Sequence, residues 1–411
     1  MRKHVVEDAK RCLQCKNPHC SIGCPAGTPI KEAIAFLLEN NLEKAGELLF
    51  QNNPLSLVCS HICHQENQCE GHCVLGKKNM PVHISAIERY ISDFYLNIYQ
   101  PTPSTKKCGK IAIIGSGPVG ITLAFFLARK NYDVTIFERY GLIGGVLRYG
   151  IPDFRLPKTI IDRLGETLRH VGVKIRPDTM IGENLTIDDM FRDGFRAVFV
   201  GTGVWKPRKL NIKGESLGHV HYAIKYLKDP DVYHLGNSLV IIGAGNVAVD
   251  VARTAVRHGC RNVRVVSHLD ESGITARESE VEYAKIDGIQ FELLKTAVEI
   301  TDDGVIFADS QMYVNENGNT ATQPIQGTET LYPSDSVIIA ISQGPRAAIV
   351  STTTGIDVTG SGLVAVDDRF RTTREGVFAG GDVVTGAKTV VEAVRIAREV
   401  AKSIDEYVSA L

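Results

Sequence analysis

Eight of the ten cysteines in this 411-residue chain fall between Cys12 and Cys73, in two groups of four. The first reads Cys12-x2-Cys15-x4-Cys20-x3-Cys24-Pro25, the second Cys59-x3-Cys63-x5-Cys69-x3-Cys73. Thiolates this closely spaced in loops suit cubane iron–sulfur clusters. The cysteine-then-proline ending matches ferredoxin runs, in which the last cysteine serves the other cluster. Zinc is the competing reading, because His19, His61, His64 and His72 lie among the cysteines and could complete four-ligand sites. Zinc would carry no electrons, and the histidines then read as surface residues of a polar loop. In a reducing compartment grouped thiols are more often metal ligands than disulfides. The isolated Cys108 and Cys260 read as inert small hydrophobes.

A second kind of chemistry is written in glycines. Gly115, Gly117 and Gly120 follow the apolar run KIAII and open the helical stretch VGITLAFFLARK. Glycine there permits a tight turn, close approach of backbone to a pyrophosphate, and close helix–strand packing, with the helix N-terminus facing the anion. Glu138 ends the next apolar run and is placed to accept from a ribose hydroxyl. The signature recurs at Gly243, Gly245 and Ala248, with Asn246 inside the turn as a further coenzyme contact. Its counterpart of Glu138 is Ser267-His268-Leu269, which offers neither a carboxylate for a plain ribose nor an arginine pair for a 2′-phosphate. That tilts the nicotinamide choice toward NAD(H) over NADP(H), unless Arg264 or Arg277 supplies the missing cation.

The elements that must position these residues follow from periodicity. Apolar residues at helical spacing predict two short helices within 26–50 and another over 84–94, so the front of the chain is all-helical. Beyond the breaker-rich QPTPSTKKCGK, β-rich apolar runs alternate with helices. This predicts an α/β architecture of parallel sheets covered on both faces. Lys and Arg (46) balance Asp and Glu (47) with no basic run, so no nucleic acid or anionic lipid is expected as partner. With neither a signal-peptide h-region nor a membrane-length apolar stretch, a cytoplasmic location is expected.

Over nearly its whole length the chain resembles the family of the glutamate synthase small subunit and the flavin subunit of bacterial dihydropyrimidine dehydrogenase. RCLQCKNPHCSIGCP, CEGHC, PVHISAIERYISD, GGVLRYGIPDFRLP and the late GGD segment carry the resemblance. It implies a helical double 4Fe–4S domain over 1–104, an FAD domain over 105–225 and 332–411, and an inserted NAD(P) domain over 226–331. It further implies one cluster on Cys12, Cys15, Cys20 and Cys73. The other falls to Cys24, Cys63, Cys69 and Glu88, with Cys59 as the alternative to Glu88. Gly144 and Gly145, then Gly381 and Asp382, match the FAD motifs of two-dinucleotide flavoprotein reductases, where the aspartate holds the ribitol chain. Asp382 looks exposed in sequence. Arg155 matches an FAD-contacting arginine, and the amides of Thr389 and Val390 are expected at the flavin pyrimidine edge.

The activity so implied is electron transfer from NAD(P)H through FAD and two clusters to a catalytic partner subunit or ferredoxin. No catalytic acid or base is named, because the cofactors carry the chemistry. GGVLRYGIPDFRLP looks closer to the NADH-dependent ferredoxin:NADP reductase and sulfide dehydrogenase branch, so a self-sufficient oxidoreductase of that type is the alternative. A non-enzymatic iron–sulfur scaffold is the third. No CxxC follows Gly145, which disfavours a glutathione-type disulfide reductase.

Overall fold

A computed structural model describes residues 2–78, 80–101, 108–183, 185–314, 320–346 and 348–411. The expected boundary at 104/105 lies outside them. The chain divides into two compact units. One comprises Met1–Arg148, Asp153–Val204 and Gly344–Leu411, and the other Tyr149–Pro152 and Trp205–Gln343.

After the helices Arg2–Ala9 and His19–Ile22, the first unit carries the helices Ile30–Leu38, Leu42–Asn52, Ser56–Ile62 and Ile84–Ile98. Asn41 starts Leu42–Asn52 by accepting from the Lys44 amide at 3.2 Å, which satisfies one of the orphan donors of a helix end. Ile34, Leu49, Ile87 and Ile91 form the apolar seam between them. Gly46 lets the helices approach, since a Cβ there would stand 2.3 Å from Tyr95 Cβ. The helical region is joined to the rest of its unit by Phe50, whose ring meets Phe125 edge-on at 5.2 Å.

The sheet of the first unit is all parallel, in the order Val377–Ala379, Phe195–Val200, Lys110–Ile114, Asp133–Phe137, Lys174–Arg176. Its central strands are buried almost throughout, as strands covered on both faces should be. The last strand in sequence is the first in space. The GGD segment is thereby carried back beside the first glycine turn.

The second unit has its own parallel sheet, in the order Val220–Tyr222, Ser336–Ile339, Ser238–Ile242, Asn262–Val266, Gln290–Glu292. Two of its five strands lie outside the expected 226–331 span. VHY and SVII are three- and four-residue strands, too short for periodicity to identify. An antiparallel excursion over Lys295–Pro333 is likewise absent from the sequence expectation. No helix among the described residues is long and apolar enough to cross a membrane.

Candidate functional site

The two cysteine sets differ in setting but lie in one unit. Cys12, Cys15, Cys20 and Cys73 line a single recess of about 430 Å³, solvent space included, walled by Ile30, Ile34, Leu75, Val82 and Ile84. Burial raises the Cys20 thiol above its ordinary range, and the neighbouring Cys73 and Cys12 add to this. Burial likewise raises Cys12, with Cys15 and Cys73 adding. Four thiols around one space are a donor set suited to a strongly positive centre, which would favour their thiolate forms.

Cys24, Cys63, Cys69 and Glu88 form the second set. Burial lifts the Glu88 carboxyl to about 8, and Glu70 adds to it. Cys69 is pushed up by burial, then by Glu88, Glu70 and Cys24. Cys63 is raised first by its hydrogen bond with the Cys59 thiol, then by burial. Cys24 Sγ lies 3.2 Å from Thr28 Oγ1. Glu70 accepts from Ser85 N at 2.8 Å and Ser85 Oγ at 2.7 Å, fixing the Cys69 loop against the helix that carries Glu88. Cys59 is buried beside Cys63, so the structure keeps both it and Glu88 within the set. The residues present fit two anion-rich metal centres.

Among the described residues no three His, Cys, Asp or Glu groups converge on one metal-ion position. His19, at the start of the helix His19–Ile22, and His72 are exposed, whereas His61 and His64 are partly buried. His61 Nδ1 meets Leu57 O at 2.8 Å and His72 Nδ1 meets Gln68 O at 2.6 Å.

At the first glycine turn, Gly115 has φ +101°, and a Cβ there would stand 2.6 Å from Gly201 O. Gly117 faces open space where a phosphate would lie, directly before the Pro118–Arg129 helix. Glu138 is buried and firmly held. Ser116 N donates to it at 2.9 Å, Ser116 Oγ donates to the same oxygen, and Tyr140 N donates to the other at 2.9 Å. Ser116 is the partner of Glu138 that glycine spacing alone does not mark, although GSGPVG displays it. Its hydroxyl also accepts from Gly144 N at 3.1 Å, which ties Gly144-Gly145 to the turn. Gly381, at φ +75°, packs where a Cβ would be 2.6 Å from Val119, so Asp382 arrives at the same helix start.

Two expectations need correction here. Asp382 is partly buried rather than exposed, and burial raises its carboxyl to about 6 although the Lys388 amide donates to it at 3.2 Å. The Thr389 amide is not available to a flavin, because it donates to Glu392 at 3.0 Å within a capping box. The first-turn amides of Val390 and Val391 remain the helix's orphan donors. Arg155 is partly buried in the loop before the Lys158–His170 helix.

In the second unit Gly243 has φ +118°, and a Cβ there would stand 2.6 Å from Ala340 O. Gly245 precedes the Asn246–Arg257 helix, which contains buried Ala248. Asn246 is occupied: its Oδ1 accepts from Arg277 N at 3.1 Å. Ser267 is buried, with its Oγ accepting from Leu269 N at 3.1 Å. His268 is exposed, and burial of part of its ring lowers its pKa. Of the two candidate cations, Arg264 is engaged elsewhere, with Nε on Gln290 at 3.2 Å and its guanidinium over Tyr332. Arg277 is the one beside the turn.

Two parallel nucleotide folds, one with a cysteine-rich helical region in its own unit, define an NAD(P)-dependent flavin oxidoreductase with an iron–sulfur domain. Residues 109–397 match the pyridine nucleotide-disulphide oxidoreductase family and residues 1–99 match dihydropyrimidine dehydrogenase domain II, 4Fe-4S cluster. The chain is 32% identical to the glutamate synthase [NADPH] small chain of Halomonas elongata, over 98% of this chain and 90% of that one. It is 31% identical to the NAD-dependent dihydropyrimidine dehydrogenase subunit PreT of Salmonella typhimurium, over 98% and 94%. The chain belongs to this glutamate synthase small chain and PreT family. Mycobacterium tuberculosis FprA in complex with NADPH shares the fold, with a TM-score of 0.63 at 18% identity over 74% of this chain and 85% of that one.

Proposed function

We propose that this chain is the NAD(P)H-oxidising electron-transfer subunit of a larger enzyme, feeding a catalytic partner through FAD and two 4Fe–4S clusters. The observation that supports this is the gathering of Cys12, Cys15, Cys20 and Cys73 around one recess in the same unit as the first nucleotide fold. Bound FAD supplies the exchange between a two-electron donor and single-electron carriers, and the clusters supply single-electron carriage.

The protein's part is binding and electrostatics. Gly115, Gly117 and Gly120 admit the FAD pyrophosphate at the helix N-terminus, and Glu138 accepts from the ribose. Asp382 accepts from the ribitol chain, while Val390 and Val391 offer amides and the positive helix end to the flavin ring. Gly144, Gly145, Arg155 and Gly381 line the same site. Gly243, Gly245, Asn246 and Ala248 shape the nicotinamide coenzyme's turn. Ser267 and His268 lie at its ribose end, where a buried hydroxyl and a largely neutral imidazole favour NADH. Cys12, Cys15, Cys20 and Cys73 hold one cluster, and Cys24, Cys63, Cys69 and Glu88 the other.

Purification from the native source tests the reading: a second chain should co-elute, and NADH should reduce both clusters. Reduction of ferredoxin or polysulfide by the isolated chain would favour the self-sufficient alternative, which GGVLRYGIPDFRLP supports.

A further inference from the structure

The C-terminal helix Val390–Ser409 starts at the proposed flavin edge and meets, through Arg398, the loop two residues past Cys24. Nine residues past Thr389, about 13 Å along the helix axis, stands Arg398. It donates to Ala26 O through both terminal nitrogens, at 3.2 and 3.3 Å, and to Asn52 O at 2.6 Å. Asn52 Nδ2 donates to the same Ala26 carbonyl at 3.3 Å and to Gly27 O at 3.4 Å. Ala26 is two residues beyond Cys24. The guanidinium is partly buried, meets neutral carbonyls, and has no ion-pair partner among the described residues.

An uncompensated cation is therefore fixed against the loop that leaves Cys24. We propose that Arg398 tunes the reduction potential of the cluster held by Cys24, Cys63, Cys69 and Glu88, holding it high enough to accept electrons from the flavin. The proposal rests on that ligand reading. Reducing the cluster adds one electron and breaks no bond, so the added negative charge is stabilised by a nearby fixed positive charge in a weakly screened setting. A fork donating to two carbonyls on different segments also holds the charge at one distance, which a flexible ammonium does less well. Neither Ala26 nor Asn52 lines the recess of the first set, which makes the first cluster an internal reference.

The test is a redox titration of the full chain, loaded anaerobically, with each cluster followed by its own EPR signal. Arg398→Met should lower the second cluster's reduced-to-oxidised ratio about tenfold at a fixed poise, equivalent to about 59 mV for a one-electron couple. The first cluster should not move, and Arg398→Lys should recover most of the difference. Should the Met variant fail to hold iron, Arg398→Gln, which keeps a donor and loses the charge, is titrated in its place and read the same way. An unmoved second potential, or a Lys variant displaced as far as the uncharged one, would overturn the assignment. A wild-type protein with a single cluster would instead break the ligand reading, and the proposal with it.

Discussion

The two cysteine sets occupy one helical region yet are built differently. Cys12, Cys15, Cys20 and Cys73 are each partly exposed around a recess with an apolar wall. Around the second set Cys69 and Cys59 are buried, burial raises the Glu88 carboxyl, and Ala26, two residues past Cys24, is tied to the Val390–Ser409 helix. The contrast suits the two tasks that the proposed electron path requires. A centre that hands electrons outward needs access, while one that receives them from inside the protein needs a fixed distance and a fixed field.

The strongest way to break this contrast is to remove one set. Cys20→Ser should lower iron from about eight to about four atoms per chain, with FAD retained and the second cluster's EPR signal intact. Loss of all iron would show that the sets do not form independently. Glu88→Ala should do the reverse, removing the second signal alone. If Cys59 replaces the lost carboxylate, that signal will survive with altered g-values.

How much of this is legible in sequence depends on the scale of each feature. Short-range spacing exposes both cysteine groups and both glycine turns, because cluster and phosphate binding constrain residues a few positions apart. The return of Asp382 to the first turn comes only through family resemblance, since 262 residues separate it from Gly120. The capping of Thr389 by Glu392 is visible as T-x-x-E, but it competes with the expectation of a flavin contact at the same amide. Val220–Tyr222 and Ser336–Ile339 are too short to show a period, so the expected 226–331 span does not include them. The burial of Asp382 and the latch at Arg398 are tertiary facts without a local signal.

Smaller perturbations sharpen the contrast by asking what each set depends on. Glu138→Ala should weaken FAD by about 1–3 kcal/mol, roughly 5- to 150-fold, measured by flavin loss on gel filtration. Iron content should stay near eight. Unchanged flavin occupancy would count against Glu138 as the ribose acceptor. In the second unit, His268→Arg with Leu269→Arg should shift preference toward NADPH about tenfold, or about 1.4 kcal/mol, without touching either cluster. A wild-type protein that strongly prefers NADPH at pH 8 would contradict this and make Arg277 the phosphate ligand. The smallest effect concerns Asp382. With its carboxyl at about 6 before FAD binds, and with the ionised form the better acceptor, binding releases a proton and affinity rises with pH through that value. FAD affinity should drop about fourfold from pH 7 to pH 5.5, as set by the ionised fraction. Asp382→Asn should flatten the profile, and a steep profile in that variant would move the titration to another group.

The central claim is that this chain carries two iron–sulfur clusters reducible through its own flavin. Iron, acid-labile sulfide and zinc should be counted in anaerobically purified protein, and the same sample reduced with NADH under EPR. The account predicts about eight iron and about eight sulfide per chain and two distinct cluster signals after NADH addition. Zinc without acid-labile sulfide, or iron that NADH leaves oxidised while FAD is bound, would contradict it.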